Sequence, residues 1–241
     1  MTRPLVLVLG ATSDIGRAIA RTFAAQGCDI ALAARQPDRL ADDAADLRLR
    51  HGVEATVHHY DALSGDDVLS GLPRLPKTVV CCVGDLPAEP MSAEPEAIRH
   101  ALRVNAEGPI LALAQCADSF AARGHGTIIA IASVAGLRGR ASNGLYGAGK
   151  AALIAWLSAA RNRAFGSGVR VITVLPGFVD TRMTAGLALP SALTATPEEV
   201  ARLVLRAAKG RRDIVYVRPI WRWIMAVITH LPERLFRRLK I

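Results

Sequence analysis

The chain has 241 residues, 51% of them hydrophobic, 21% charged and 5% aromatic, a make-up that excludes a disordered or fibrous protein and allows a large apolar core. No apolar window of 18 or more residues is free of charge, so no spanning helix is expected. The net charge of +9 sits in one place: residues 202–241 carry 11 Lys/Arg against 2 Asp/Glu, and residues 1–201 carry 19 of each. A balanced body with a basic end argues against nucleic acid and for one local acidic partner, such as a membrane surface.

The first apolar run, 5–10, is too short for the core of a leader and reads as a strand of a cytoplasmic protein. Further strand-like runs follow at 29–34, 55–60, 78–83, 127–133, 169–175 and 215–217. Helical patterns fill the intervals at 15–26, 37–50, 94–123, 144–165 and 197–209. Several strands are almost continuously apolar, as strands buried on both faces are. The alternation predicts an α/β fold: one doubly wound parallel sheet of about seven strands with helices on both faces. Residues 1–218 form one catalytic domain in this reading, and 219–241 form a basic amphipathic tail that is not a separate domain. Cys28, Cys81, Cys82 and Cys116 show neither a C-x-x-C pair nor metal-like spacing, so reduced thiols and no metal are expected.

The turn Gly10-Ala11-Thr12-Ser13-Asp14-Ile15-Gly16 follows the first strand and opens the first helix. Gly10 suits a tight turn, and Gly16 lets the helix approach the strand. The helix N-terminus and its free amides suit a pyrophosphate. The second strand ends Ala33-Ala34-Arg35, with no acid in the place where ribose hydroxyls are bound. Arg35 suits a 2′-phosphate, so NADPH is favoured and NADH remains possible; Arg17 either assists or faces solvent. Asp61 either binds the adenine amino group or caps the turn that follows it.

Ser133 ends the fifth strand, where ligands gather in open α/β sheets. Tyr146 lies 13 residues further on and Lys150 four beyond that, on one helix face. A phenol with a pKa of about 10 is a poor acid at neutral pH. A neighbouring ammonium is expected to lower that pKa, and the Ser133 hydroxyl can steady a substrate oxygen.

These residues resemble the short-chain dehydrogenase/reductase family over nearly the whole chain. Gly10–Gly16 is similar to the family's T-G-x-x-x-G-x-G turn, including Thr12, Ser13, Asp14 and Ile15. Cys81-Cys82-Val83-Gly84 stands where the family has N-N-A-G, and Asn105 matches its mid-helix Asn. Pro176-Gly177-Phe178-Val179-Asp180-Thr181 resembles P-G-x-V-x-T, which implies contact of Pro176, Gly177, Val179 and Thr181 with the nicotinamide end. The resemblance implies that Tyr146 passes the proton and that Lys150 holds the nicotinamide ribose. It also implies that Ser133 orients the carbonyl and that Asn105 anchors a water linking Lys150 to solvent. Asp61, Val83 and Gly84 join the coenzyme contacts. Asp14 replaces the family's middle glycine, and an acid beside a pyrophosphate is electrostatically awkward, though favourable at a helix N-terminus. Only the glycine of N-N-A-G is kept, so side-chain contacts from those Asn residues are replaced or absent.

A narrower resemblance rests on the G-x-T-S-acid-I-G turn, on 132–136 and on the ending W-R-W … H-L-P-E-R-L-F-R-R-L. It is similar to the decaprenylphosphoryl-2-keto-erythro-pentose reductases, in which an acid at the Asp14 position is normal. In that group a separate flavin oxidase makes a 2-keto sugar on polyprenyl phosphate, and the reductase completes the ribose-to-arabinose conversion. The implied substrate is lipid-linked; a soluble reductase of small carbonyl or acyl substrates is the alternative. Basic residues beside Trp221, Trp223, Leu235 and Phe236 suit either a helix at the inner membrane surface or one packed on the body or a second subunit. The stretch 178–197 reads as a lid, and the apolar run 151–160 as a face buried in a homo-oligomer.

Overall fold

Alternate residues of the first strand feed two cores. Leu5, Leu7 and Leu9 pack on one side of a sheet, while Val6 and Val8 pack on the other. The computed structural model describes residues 2–239, so Lys240 and Ile241 of the basic tail lie outside the described residues. The strands β1 (Leu5–Leu9), β2 (Asp29–Ala34), β3 (Ala55–His59), β4 (Thr78–Cys81), β5 (Gly126–Ile131), β6 (Val169–Leu175) and β9 (Ile214–Tyr216) form one sheet. Its order is β3-β2-β1-β4-β5-β6-β9, and each neighbouring pair is parallel. The expected seven-stranded, doubly wound α/β sheet is the observed one. The chain winds outward from β1 to β3, then crosses back to place β4 on the other side of β1. The crevice beyond the ends of β1 and β4 is therefore the switch point where such sheets bind ligands.

Helices α1 (Asp14–Ala24) and α6 (Pro197–Lys209) cover one face with Ile19, Phe23, Val200 and Val204. Helices α4 (Gly108–Arg123) and α5 (Gly144–Arg163) cover the other with Leu113, Phe120, Leu153 and Leu157. The run 37–50 begins with a 3₁₀ turn, opened by Pro37, before α2 (Ala41–His51). The expected helix 94–123 is interrupted. After α3 (Pro95–Leu102), residues Arg103–Glu107 form a π turn closed by the Gly108 N–H on the Arg103 carbonyl. Two residues explain the widening. Pro109 lacks the N–H that the Asn105 carbonyl would receive in a regular helix. The Asn105 amide also donates to the Ala101 carbonyl at 3.0 Å.

The 178–197 segment is tied at its base by a two-residue parallel pair, β7 (Phe178–Val179) with β8 (Thr194–Ala195). The tail forms α7 (Ile220–His230) and α8 (Glu233–Phe236). Trp221, Met225 and Phe236 are buried against the body. On the outer side Trp223 is 70% exposed and Val227 64%.

Candidate active site

The glycine turn is built for close approach. Gly10 has φ +75°, and a Cβ there would lie 3.1 Å from the Cys82 carbonyl carbon. A Cβ on Gly16 would lie 2.7 Å from the Gly10 carbonyl oxygen. Ser13 caps α1: its hydroxyl accepts from the Gly16 N–H at 3.0 Å and donates to the Gly10 carbonyl at 2.8 Å. The turn thus presents a rigid, positive helix end to a cavity of about 570 Å3. Gly10, Thr12, Ser13, Asp14, Ile15, Arg35, Asp61, Val83, Gly84 and Thr181 all line that cavity. Shape and donors fit a dinucleotide laid across the switch point.

Arg35 is exposed at the end of β2, and Arg39 lines the same cavity. Arg17 is not there; its Nε pairs with Asp43 at 2.9 Å. Asp61 faces the cavity and also caps its own turn, accepting from the Leu63 N–H at 2.9 Å. The awkward charge of Asp14 is met by Arg182, whose backbone N–H and Nε each donate to the carboxylate.

Beyond the cavity floor, Lys150 is only 2% exposed. Its Nζ donates to the Val83 carbonyl at 2.9 Å and the Ile131 carbonyl at 3.3 Å. Burial lowers its pKa to about 8. Gly84 makes room for the amine: a Cβ there would lie 2.9 Å from Nζ and 3.1 Å from the Asn105 Oδ1. Asn105 is fully buried in the π turn; its amide donates to the Asp85 carbonyl at 2.8 Å and its Oδ1 accepts from the Asp85 N–H at 3.1 Å. Gly149 lets α5 press on it, since a Cβ there would lie 2.6 Å from the Asn105 Cβ.

The Tyr146 ring lies above Lys150, with Nζ 5.7 Å from its centroid. The expected fall in the Tyr146 pKa is not what the site produces. Burial pushes it up, and a hydrogen bond with Ser133 only partly opposes that. Burial is the larger effect, and the Lys150 ammonium, held by two main-chain carbonyls, does not offset it. Ser133 accepts from the Ala135 N–H at 3.1 Å, which leaves its own O–H to donate on the side of the Tyr146 hydroxyl.

Residues 4–190 match the family model for short chain dehydrogenases. The chain belongs to the short-chain dehydrogenase family. An uncharacterized oxidoreductase of Mycobacterium tuberculosis is 32% identical over 97% of this dehydrogenase and 96% of its own length. The ketoacyl reductase HetN of Nostoc is 29% identical, covering 90% of this chain and 79% of that one. The crystal structure of a short chain dehydrogenase from Burkholderia cenocepacia, in complex with NADP, superposes with a TM-score of 0.83 at 23% identity. That match covers 99% of this chain and 98% of the other, and it shows the shared fold. This dehydrogenase is accordingly a nicotinamide-dependent oxidoreductase.

The remaining motif residues sit behind the cavity. Gly16 packs inward on Gly10, and Val179 is buried in the core between α1 and α6. The Pro176 carbonyl accepts from the Val134 N–H at 2.9 Å, tying the Ser133 loop to the end of β6. Gly177 is covered by the tail: a Cβ there would fall 1.9 Å from the Trp221 ring. Trp221 also donates to the Leu193 carbonyl at 3.1 Å and meets Phe178 edge-on at 5.2 Å. The tail of this dehydrogenase therefore braces both ends of the lid. Arg39 and Arg182 line the cavity and Trp221 covers Gly177, three placements that the sequence pattern does not give. Of these, Arg39 alone has a local cue, four residues beyond Arg35.

Proposed function

We propose that this dehydrogenase is an NADPH-dependent ketone reductase acting on a 2-keto sugar carried on polyprenyl phosphate, the reductive half of a ribose-to-arabinose conversion. A separate flavin oxidase would supply that ketone. One observation carries the reading: the Tyr146 ring lies over the buried Lys150 amine, on the helix packed against the Ser133 loop. Burial pushes the Tyr146 pKa up from its ordinary value, a direction that favours the proton-carrying phenol. The bound coenzyme supplies the hydride. Tyr146 donates its proton to the substrate oxygen, and the Ser133 O–H beside it steadies that oxygen. Lys150 uses two of its three N–H donors on Val83 and Ile131, which leaves one for a ribose hydroxyl. Asn105, locked in its π turn, anchors a water through which Lys150 exchanges protons with solvent.

Arg35 and Arg39 at the adenosine end, with no acid at the tip of β2, support NADPH over NADH. Arg35→Ala is expected to weaken NADPH binding about tenfold or more and to leave NADH within about twofold. Equal losses for both coenzymes would remove Arg35 from the phosphate site.

The lipid carrier is supported by the outer side of the tail, where Trp223, Val227 and Leu235 are exposed beside Arg222, Arg234, Arg237 and Arg238. In this reading the tail touches the inner membrane surface, and the alanine-rich face of α5 joins a homo-oligomer. The alternative, a soluble reductase of small carbonyl or acyl substrates, draws on the buried inner side of the same tail and on the ketoacyl reductase relative. Coenzyme oxidation by the purified protein separates them, with a polyprenyl-phosphoryl 2-keto-pentose, small ketones and ketoacyl thioesters as parallel substrates. Turnover confined to the lipid-linked sugar is expected. Turnover confined to the small substrates would sink the keto-sugar reading and leave the tail as a brace.

A further inference from the structure

Asp14 and Arg182 stand 168 residues apart and meet at the cavity they both line. The Arg182 backbone N–H donates to Asp14 Oδ2 at 2.8 Å, and its Nε donates to Oδ1 at 2.9 Å. A terminal N–H of the same guanidinium donates to the Thr12 carbonyl. One arginine thus holds both carboxylate oxygens and the main chain of the glycine turn.

An exposed ion pair ordinarily contributes little, and Arg182 is 56% exposed. Its placement gives it more weight. Asp14 is the first residue of α1, directly after the Ser13 cap, at the helix end suited to phosphates. An unpaired carboxylate there repels a pyrophosphate; a carboxylate held by a guanidinium does not. Arg182 also opens a turn, Arg182–Thr184, whose capping residue is Thr181, which holds the exposed Met183 and leads on to the exposed Leu187. The same contact therefore fastens the start of the lid to the glycine turn.

We propose that Arg182 is a positioning residue for the coenzyme, cancelling the Asp14 charge at the phosphate end and latching the first turn of the lid over it. The inference concerns the pyrophosphate common to both coenzymes, so it stands apart from the identity of the substrate and from the 2′-phosphate role of Arg35.

The test is a coenzyme titration on the full chain, with NADPH and NADH, for wild type, Arg182→Ala, Asp14→Asn and the double variant. Arg182→Ala is expected to weaken both coenzymes by the same factor, about tenfold. The double variant is expected to bind clearly better than Arg182→Ala, because the charge that needed cancelling is gone. Hydrogen exchange without coenzyme reads the latch separately: amides of 181–187 are expected to exchange faster in Arg182→Ala at an unchanged melting temperature. Three results would overturn the proposal. One is wild-type affinity in Arg182→Ala. Another is a loss confined to NADPH. The third is a double variant as weak as Arg182→Ala.

Discussion

Tyr146→Phe is expected to lower kcat about 10³-fold or more while NADPH affinity stays within about twofold. The substitution removes one oxygen and leaves the ring over Lys150, so the packing that shapes the site is kept. What disappears is the acid. Ser133 can still donate a hydrogen bond, but a serine hydroxyl is a far weaker acid than a phenol and does not release its proton to the product. Single-turnover reduction with saturating NADPH isolates the chemical step from binding. Near-normal turnover in the variant would show that another group delivers the proton.

Lys150→Met is expected to separate stability from turnover. The wild-type amine is held in an almost fully buried site, and burial lowers its pKa from 10.5 to about 8. The sign follows from proton binding. Between pH 8 and 10.5 the unfolded chain keeps a proton on this lysine that the folded chain has lost, so stability rises with pH across that window. Below pH 8 both states carry the proton, and the full penalty for the buried charge is present. The shift corresponds to about 3 kcal/mol. Methionine has no such proton, so wild type is expected to gain up to about 3 kcal/mol relative to Lys150→Met as pH climbs through the window. At neutral pH the variant escapes the charge penalty but leaves the Val83 and Ile131 carbonyls without their donor, which offsets about 1–2 kcal/mol of the gain. Turnover is expected to fall about 10²-fold or more, because the site loses its fixed cation. Denaturant midpoints of the two proteins at matched pH values read the difference directly; parallel curves would show that Lys150 carries no buried charge.

Much of this architecture is legible in the chain because the physics is local. Short, mostly apolar runs such as 5–10 and 169–175 read as strands covered on both faces, and their alternation with helices leaves few topologies. Gly10, Gly16, Ser133, Tyr146 and Lys150 are legible for the same reason: each has its meaning at short spacing, in a turn or on one helix face. What is not legible depends on contacts across the fold. No local pattern marks Arg182, because its partner is 168 positions away. The cover of Gly177 by Trp221 is hidden likewise, since the tail's amphipathic pattern is compatible with a membrane, a subunit or the body itself. The direction of the Tyr146 pKa is hidden as well, because spacing places an ammonium nearby but does not show how deeply the phenol is buried.

The π turn at Arg103–Glu107 amounts to one residue more than the helix needs. Deleting a single residue there would remove that extra residue while Pro109 still lacked its N–H, so the wider turn acts as a phase shifter between α3 and α4. Everything before it would rotate by about 100° relative to everything after it. Asn105 would turn away from Asp85, and the surface that α5 meets through Gly149 would be replaced by a different stripe of side chains. A shorter helix would thus keep the fold but lose the Asn105 position on which the proposed proton path depends.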